Sequence, residues 1–181
     1  IEKLNLSDKT IIILPSDHGE EFLEHGYFGH GRLYNEHIYV PLIVRLPQKI
    51  SKTINENARL IDLTPTILDM LNITYNPKNY EFQGVSLTPL LKGNKLDLDI
   101  YSESGLPATN LTLYSLITNS GQKYILTNQT GSQWEDKYGQ VMKELFNLLE
   151  DSKEMNNLFL TYSNSFQNYL KIVPMEKEIK I

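Results

Sequence analysis

Two residues suited to binding a divalent cation, Asp17 and His18, stand side by side just after the apolar run "TIIIL" (residues 10–14). An Asp oxygen and a His nitrogen form half of a ligand set for such an ion. Inside a strand, neighbouring side chains point to opposite faces. Beyond the stop at Pro15 and Ser16, a loop can turn both toward one point, and Gly19 permits the sharp turn. The same dipeptide would also serve simply to close a turn, and alone it does not choose between the two roles.

All 4 histidines of the chain, at positions 18, 25, 30 and 37, fall within "DHGEEFLEHGYFGHGRLYNEH" (residues 17–37). His25, His30 and His37 do not read as a self-contained zinc site. The segment has no HExxH pattern, and residues seven apart on a helix lie about 10 Å apart along its axis, too far to share an ion. His25 and His37 read as hydrogen-bonded loop residues. His30 is flanked by Gly29 and Gly31 and reads as a ring that can closely approach a bound anion. Glu20, Glu21 and Glu24 read as a solvated face, or as groups one layer behind the ligands.

The elements that must position these residues follow from patterning. "TIIIL" and "VPLIVRLP" (40–47) are short apolar runs of strand length, the habit of strands buried on both faces of a sheet covered by helices. "GRLYNEHIY" (31–39) carries Leu33, Glu36 and His37 at helical spacing. "ARLIDLTPTILDMLNI" (58–73) reads as a helix with Pro65 in its first turn, Asp62 or Thr64 as cap, and Ile67, Leu68 and Leu71 as its apolar stripe. The order strand, crossover, strand, helix is an α/β pattern, which places ligands in loops beyond the carboxyl ends of strands. From about residue 99 the pattern changes. Residues 99–104, 111–118 and 122–128 read as strands, the last two joined as a hairpin through Gly121. Residues 141–149 fit a strand or a helix, and residues 166–173 read as a terminal helix. The expected domains are 1–95, the α/β part, and 96–181, a small antiparallel sheet with a C-terminal helix.

Composition excludes several classes. With 17 basic and 22 acidic residues and a net charge of −5, the chain has no basic footprint for nucleic acid. No apolar run reaches the roughly 18 residues that span a bilayer. Cysteine is absent, so the chain has no thiolate chemistry of its own. An opening without an initiator Met, with a strand about to begin, leads us to expect a piece of a longer polypeptide.

"SDHGEEFLEHGYFGHGRLYNEHIYVPLIVRLP" (16–47) closely resembles the second half of sulfatases, in the alkaline phosphatase superfamily. There a metal-binding Asp-His or Asp-Asn pair follows a sheet strand, then "GEHG", then a "LYEE…VPLIV..P" segment. "LIDLTPTILDMLNI" (60–73) and "FQGVSLTPLLKG" (82–93) are similar to later motifs of that family. So are "IYSES" (100–104), "QKYIL" (122–126) and "ELFNLLEDSKEMNNL" (144–158). The resemblance implies the C-terminal part of an alkaline-phosphatase-like α/β sheet domain followed by the small antiparallel subdomain. It implies that Asp17 and His18 are ligands of a divalent metal, calcium first, with Mn2+, Mg2+ or Zn2+ as alternatives. It also matches His30 to a basic position, often lysine, that contacts the sulfate of a sulfate-ester substrate. An imidazole there departs from the pattern, because it is fully charged only near or below neutral pH.

The same resemblance implies an upstream nucleophile, a formylglycine made within a "C/S-x-P-x-R" motif, and this chain contains no such motif. The expectation is therefore a sulfatase fragment, inactive alone, whose site is completed by the N-terminal half of the same polypeptide. Phosphodiesterases, phosphonate-ester hydrolases and phosphotransferases of the superfamily share the Asp-His pair, and a non-catalytic relative would keep the fold without the metal.

Overall fold

A computed structural model describes residues 1–48, 51–76, 81–106, 111–129, 142–159 and 161. The chain divides into two compact units, Ile1–His30 with Glu36–Ile100, and Gly31–Asn35 with Tyr101–Ile181.

In the first unit, β1 (Ile12–Pro15) runs into the Asp17–His18 loop. A short hairpin follows, β2 (Glu21–Phe22) and β3 (Phe28–Gly29), then a single helical turn α1 (Asn35–Ile38) and β4 (Leu42–Arg45). β1 pairs directly with β4 in antiparallel register, Ile12 opposite Arg45 and Pro15 opposite Leu42. Patterning suggested two strands buried on both faces. Instead Ile12, Leu14 and Ile43 are exposed, because a two-stranded ribbon has no second layer of its own to cover them.

The helix expected over 58–73 is shorter, with a 3-10 turn at Leu60–Asp62 leading into α2 (Leu63–Met70). Pro65 does lie in its first turn, but Asp62 makes no capping bond with its side chain to the helix. Its buried carboxylate instead takes the forked guanidinium of Arg59 at 2.8 and 3.0 Å and the N–H of Val85 at 2.9 Å. Pro65 and Thr66 form the buried face, while Ile67 and Leu71 face solvent, so the apolar stripe read from spacing is not the one that packs. α3 (Thr88–Leu91) contributes Leu90 to a small core with Leu87 and Leu98.

The second unit carries a sheet in the order β5 (Ile100–Leu106), β6 (Leu111–Ile117), β7 (Gln122–Gln129) and β8 (Met142–Asn147). β6, β7 and β8 are antiparallel. The strand-or-helix ambiguity of 141–149 resolves as a strand. The terminal helix read over 166–173 lies outside the described residues. Alternation puts Leu113, Ser115 and Ile117 of β6 on one buried face with Ile125 and Phe146, and Tyr124 with Leu145 on the other.

Among these apolar residues Lys123 is fully buried, its Nζ 2.7 Å from Glu154 Oε1 and donating to Asn35 Oδ1 at 3.1 Å. The other oxygen of Glu154 accepts the N–H of Asn35 at 2.6 Å. Glu154 holds φ at 54°, the left-handed region where a side chain costs about 1 kcal/mol or more. Glycine would relieve that cost but would remove the carboxylate that faces Lys123, so the carboxylate explains why a non-glycine sits there.

Two outcomes are expected. Lys123→Met should destabilise the protein by about 3–5 kcal/mol in chemical denaturation, because a buried carboxylate loses its counter-charge. Combined with Glu154→Leu, the loss should be smaller than the two single losses summed. Gly19→Ala should also be costly, since a Cβ there would lie 2.0 Å from the backbone oxygen of Glu36. It should displace the Asp17–His18 loop, read as a lower Tm in thermal unfolding.

Candidate functional site

The end of β1 and the β2–β3 hairpin bring the singled-out residues together. Gly19 donates its N–H to the His37 carbonyl at 2.8 Å, which holds the turn after His18 against α1. The hairpin pairs Glu21 with Gly29 and Phe22 with Phe28, and so carries the chain back to the start of the loop. There His30 stacks on His18, ring centroids 4.4 Å apart and planes 27° from parallel. Gly29 and Gly31 take φ values of +129° and +114°, which side chains rarely adopt. The two glycines that flank His30 therefore set its backbone path as well as leaving it room.

Protonation follows from the partners. Nδ1 of His18 lies 2.9 Å from the Gly19 carbonyl, which can only accept, so that nitrogen carries the hydrogen and Nε2 is left for a ligand. The same bond holds the His18 pKa above the usual imidazole value, with the charge of Asp17 a smaller contribution. Asp17 accepts the backbone N–H of His18 at 3.0 Å, and this bond is the main reason its carboxyl sits below the usual range. An ionised, solvent-open Asp17 with a free Nε2 3.9 Å from its Oδ2 has the chemistry of half a divalent-cation site.

Nδ1 of His30 lies 3.2 Å from Glu20 Oε2, a contact that orients the exposed ring and leaves Nε2 for another partner. His18, Glu20 and His30 can also offer one ligand atom each, all within 4.8 Å of one another. This second set excludes Asp17 and is nitrogen-rich, so it suits zinc-like ions better than calcium. Glu20 thus stands beside the histidines as a direct partner. Its sequence signal was the i, i+2 spacing from His18 in a turn, which is too common to single it out.

His25 and His37 lie away from this cluster, as hydrogen-bonded or ion-paired residues. His37 is buried with its Nε2 2.9 Å from Glu21 Oε2, and His25 Nε2 is 3.5 Å from Glu36 Oε2. Glu21, expected on a solvated face, has no exposed surface. The hairpin pleat explains the difference, since Phe22 faces solvent and its neighbour must face inward. Among the described residues no helix is long and apolar enough to cross a membrane.

Comparison with known proteins bears on this geometry. Residues 23–104 match a family model described as N-sulphoglucosamine sulphohydrolase, C-terminal. Arylsulfatase K of Homo sapiens is 31% identical over 192 residues, covering 95% of this chain and 34% of that protein. A solved structure of a protein in complex with its substrate D-glucosamine-2-N,6-O-disulfate superimposes with a TM-score of 0.75 at 23% identity, over 98% of this chain and 36% of that one. The phosphonate monoester hydrolase of Agrobacterium radiobacter superimposes with a TM-score of 0.71 at 20% identity, over 94% of this chain and 35% of that one. These structural likenesses show the fold. The chain spans about a third of the length of the curated relatives it matches. Along nearly its whole length the chain is similar to the C-terminal portion of sulfatases.

Proposed function

We propose that the polypeptide carrying this chain hydrolyses sulfate esters, with Asp17 and His18 holding one side of a divalent cation and His30 facing the sulfate. The observation that carries the reading is the stacking of His30 on His18, which puts an exposed imidazole beside the candidate metal ligands. The cation, calcium first with Mn2+, Mg2+ or Zn2+ as alternatives, would polarise the ester and stabilise charge developing on the transferring group. Asp17 offers anionic oxygen and His18 its Nε2, while the Gly19 carbonyl keeps the His18 ring from rotating. His30 keeps one nitrogen on Glu20 and can donate from the other to an anionic oxygen, a contact that strengthens as charge develops. The nucleophile, a formylglycine in this reading, and the remaining metal ligands come from the rest of the polypeptide, and this chain alone is inactive.

A phosphoryl-transfer reading is favoured by one observation, the likeness to a phosphonate monoester hydrolase. Both groups need a cation and a donor to a tetrahedral anion, so activity on p-nitrophenyl sulfate against the corresponding phosphate and phosphonate monoesters separates them. We favour the sulfate ester because the sequence relatives are sulfatases.

In the full-length polypeptide, Asp17→Ala and His18→Ala should each lower the divalent metal retained after gel filtration, measured by elemental analysis. Unchanged content in both would remove the metal assignment. His30→Ala should keep wild-type metal content and thermal stability, yet lose about 10²-fold or more in kcat/KM, the scale of one aligned donor. Loss of metal in His30→Ala would instead favour the His18–Glu20–His30 set. His30→Lys should retain more activity than alanine and make it less dependent on pH near neutrality.

A further inference from the structure

Glu21 takes no part in the chemistry above, yet more of the site loop hangs on it than on any ligand. Its Oε1 accepts the N–H groups of His25 at 2.9 Å and Tyr27 at 3.1 Å. Its Oε2 meets Nε2 of His37, a ring only 2% exposed, at 2.9 Å. These bonds reach in two directions. His25 and Tyr27 belong to the loop joining β2 to β3, and Gly29, the strand partner of Glu21, comes just before His30. His37 belongs to α1, and its carbonyl accepts the N–H of Gly19, the residue after His18. From His18 through Gly19, His37, Glu21 and Tyr27 to His30, the contacts form a closed circuit around one carboxylate.

An apolar side chain could fill the same space but could not accept the two backbone N–H groups. Leu23 at the hairpin tip holds φ at 78°, unfavourable for a branched side chain, so the loop needs bonds of this kind to hold its path. The two exposed rings of Phe22 and Phe28 meet edge to face at 5.5 Å but are open to solvent, so packing there holds little.

We propose that Glu21 is a positioning residue. It touches neither metal nor substrate, and through His25, Tyr27 and His37 it keeps the hairpin folded so that His30 stays stacked on His18. The catalytic consequence rests on the sulfatase reading, whereas the holding of the loop does not.

The test uses the full-length polypeptide and the variants Glu21→Leu, Glu21→Gln, and the pair Glu21→Leu with His37→Leu. Three quantities are read: Tm, deuterium uptake of peptides covering residues 22–28, and kcat and KM on p-nitrophenyl sulfate. Glu21→Leu should lower Tm, because it strands His37 and two backbone donors. The paired variant should recover much of that Tm by removing the buried ring nitrogen as well. Uptake over 22–28 should nevertheless stay fast in the pair, and kcat should stay about tenfold or more below wild type with KM little changed, the mark of a displaced group. Glu21→Gln keeps an acceptor oxygen for the two N–H groups and should fall between wild type and Glu21→Leu in both uptake and kcat. A paired variant with recovered Tm and wild-type uptake or wild-type kcat would overturn the proposal, leaving Glu21 as core filler. Should wild type hydrolyse neither sulfate nor phosphate esters, the sulfatase reading fails, and the uptake comparison alone still decides whether Glu21 holds the loop.

Discussion

A carboxylate with no exposed surface is tolerable only if its oxygens are met by donors or opposite charge, and Glu21 meets that demand by gathering the hairpin loop and α1 onto itself. Desolvating an anion there costs several kcal/mol unless the hairpin loop closes and α1 presents His37, so the burial and the loop geometry require each other. The arrangement of His18 and His30 follows from that closure. Neither ring is packed into a core; both are open, and each is oriented by one bond to its surroundings, Gly19 for His18 and Glu20 for His30. Open rings with fixed orientations are what a site needs in order to receive a ligand without first breaking a packed interior.

The second unit solves a related problem with the opposite sign of charge. Lys123 is buried in a sheet, and its compensation by Glu154 and Asn35 places a carboxylate where backbone preference alone would choose glycine. In both units a buried ion, rather than a broad apolar core, specifies a local path that patterning cannot. Among the described residues the apolar clusters are small, three buried residues in one and two in another, which leaves much of the specification to polar contacts.

Much of this was legible in the sequence. Asp17, His18 and His30 stand out because a strand end, glycines and residue chemistry coincide, and the structure brings the three into one loop cluster. Strands β5 to β7 follow their alternating or β-branched runs closely. Other features could not be read. The pairing of β1 with β4 is long-range, and no local pattern fixes its direction. The packed face of α2 depends on Thr66, whose hydroxyl accepts the N–H of Leu87, a polar contact that an apolar stripe does not reveal. Glu21 was obscured by its neighbours, since an acidic residue among Glu20 and Glu24 looks solvated. Only the hairpin pleat, with Phe22 outward, turns it inside.

The central claim is that His30 faces the anion while Asp17 and His18 hold the cation beside it. The most direct measurement is a crystal structure of the full-length polypeptide grown with a divalent cation and a sulfate-ester analogue, the cation identified by anomalous scattering. The account predicts the cation bonded to a carboxylate oxygen of Asp17 and to Nε2 of His18, with an oxygen of the sulfate group within hydrogen-bonding distance of Nε2 of His30. A cation held instead by His18, Glu20 and His30, or a His30 ring turned away from the anion, would contradict it.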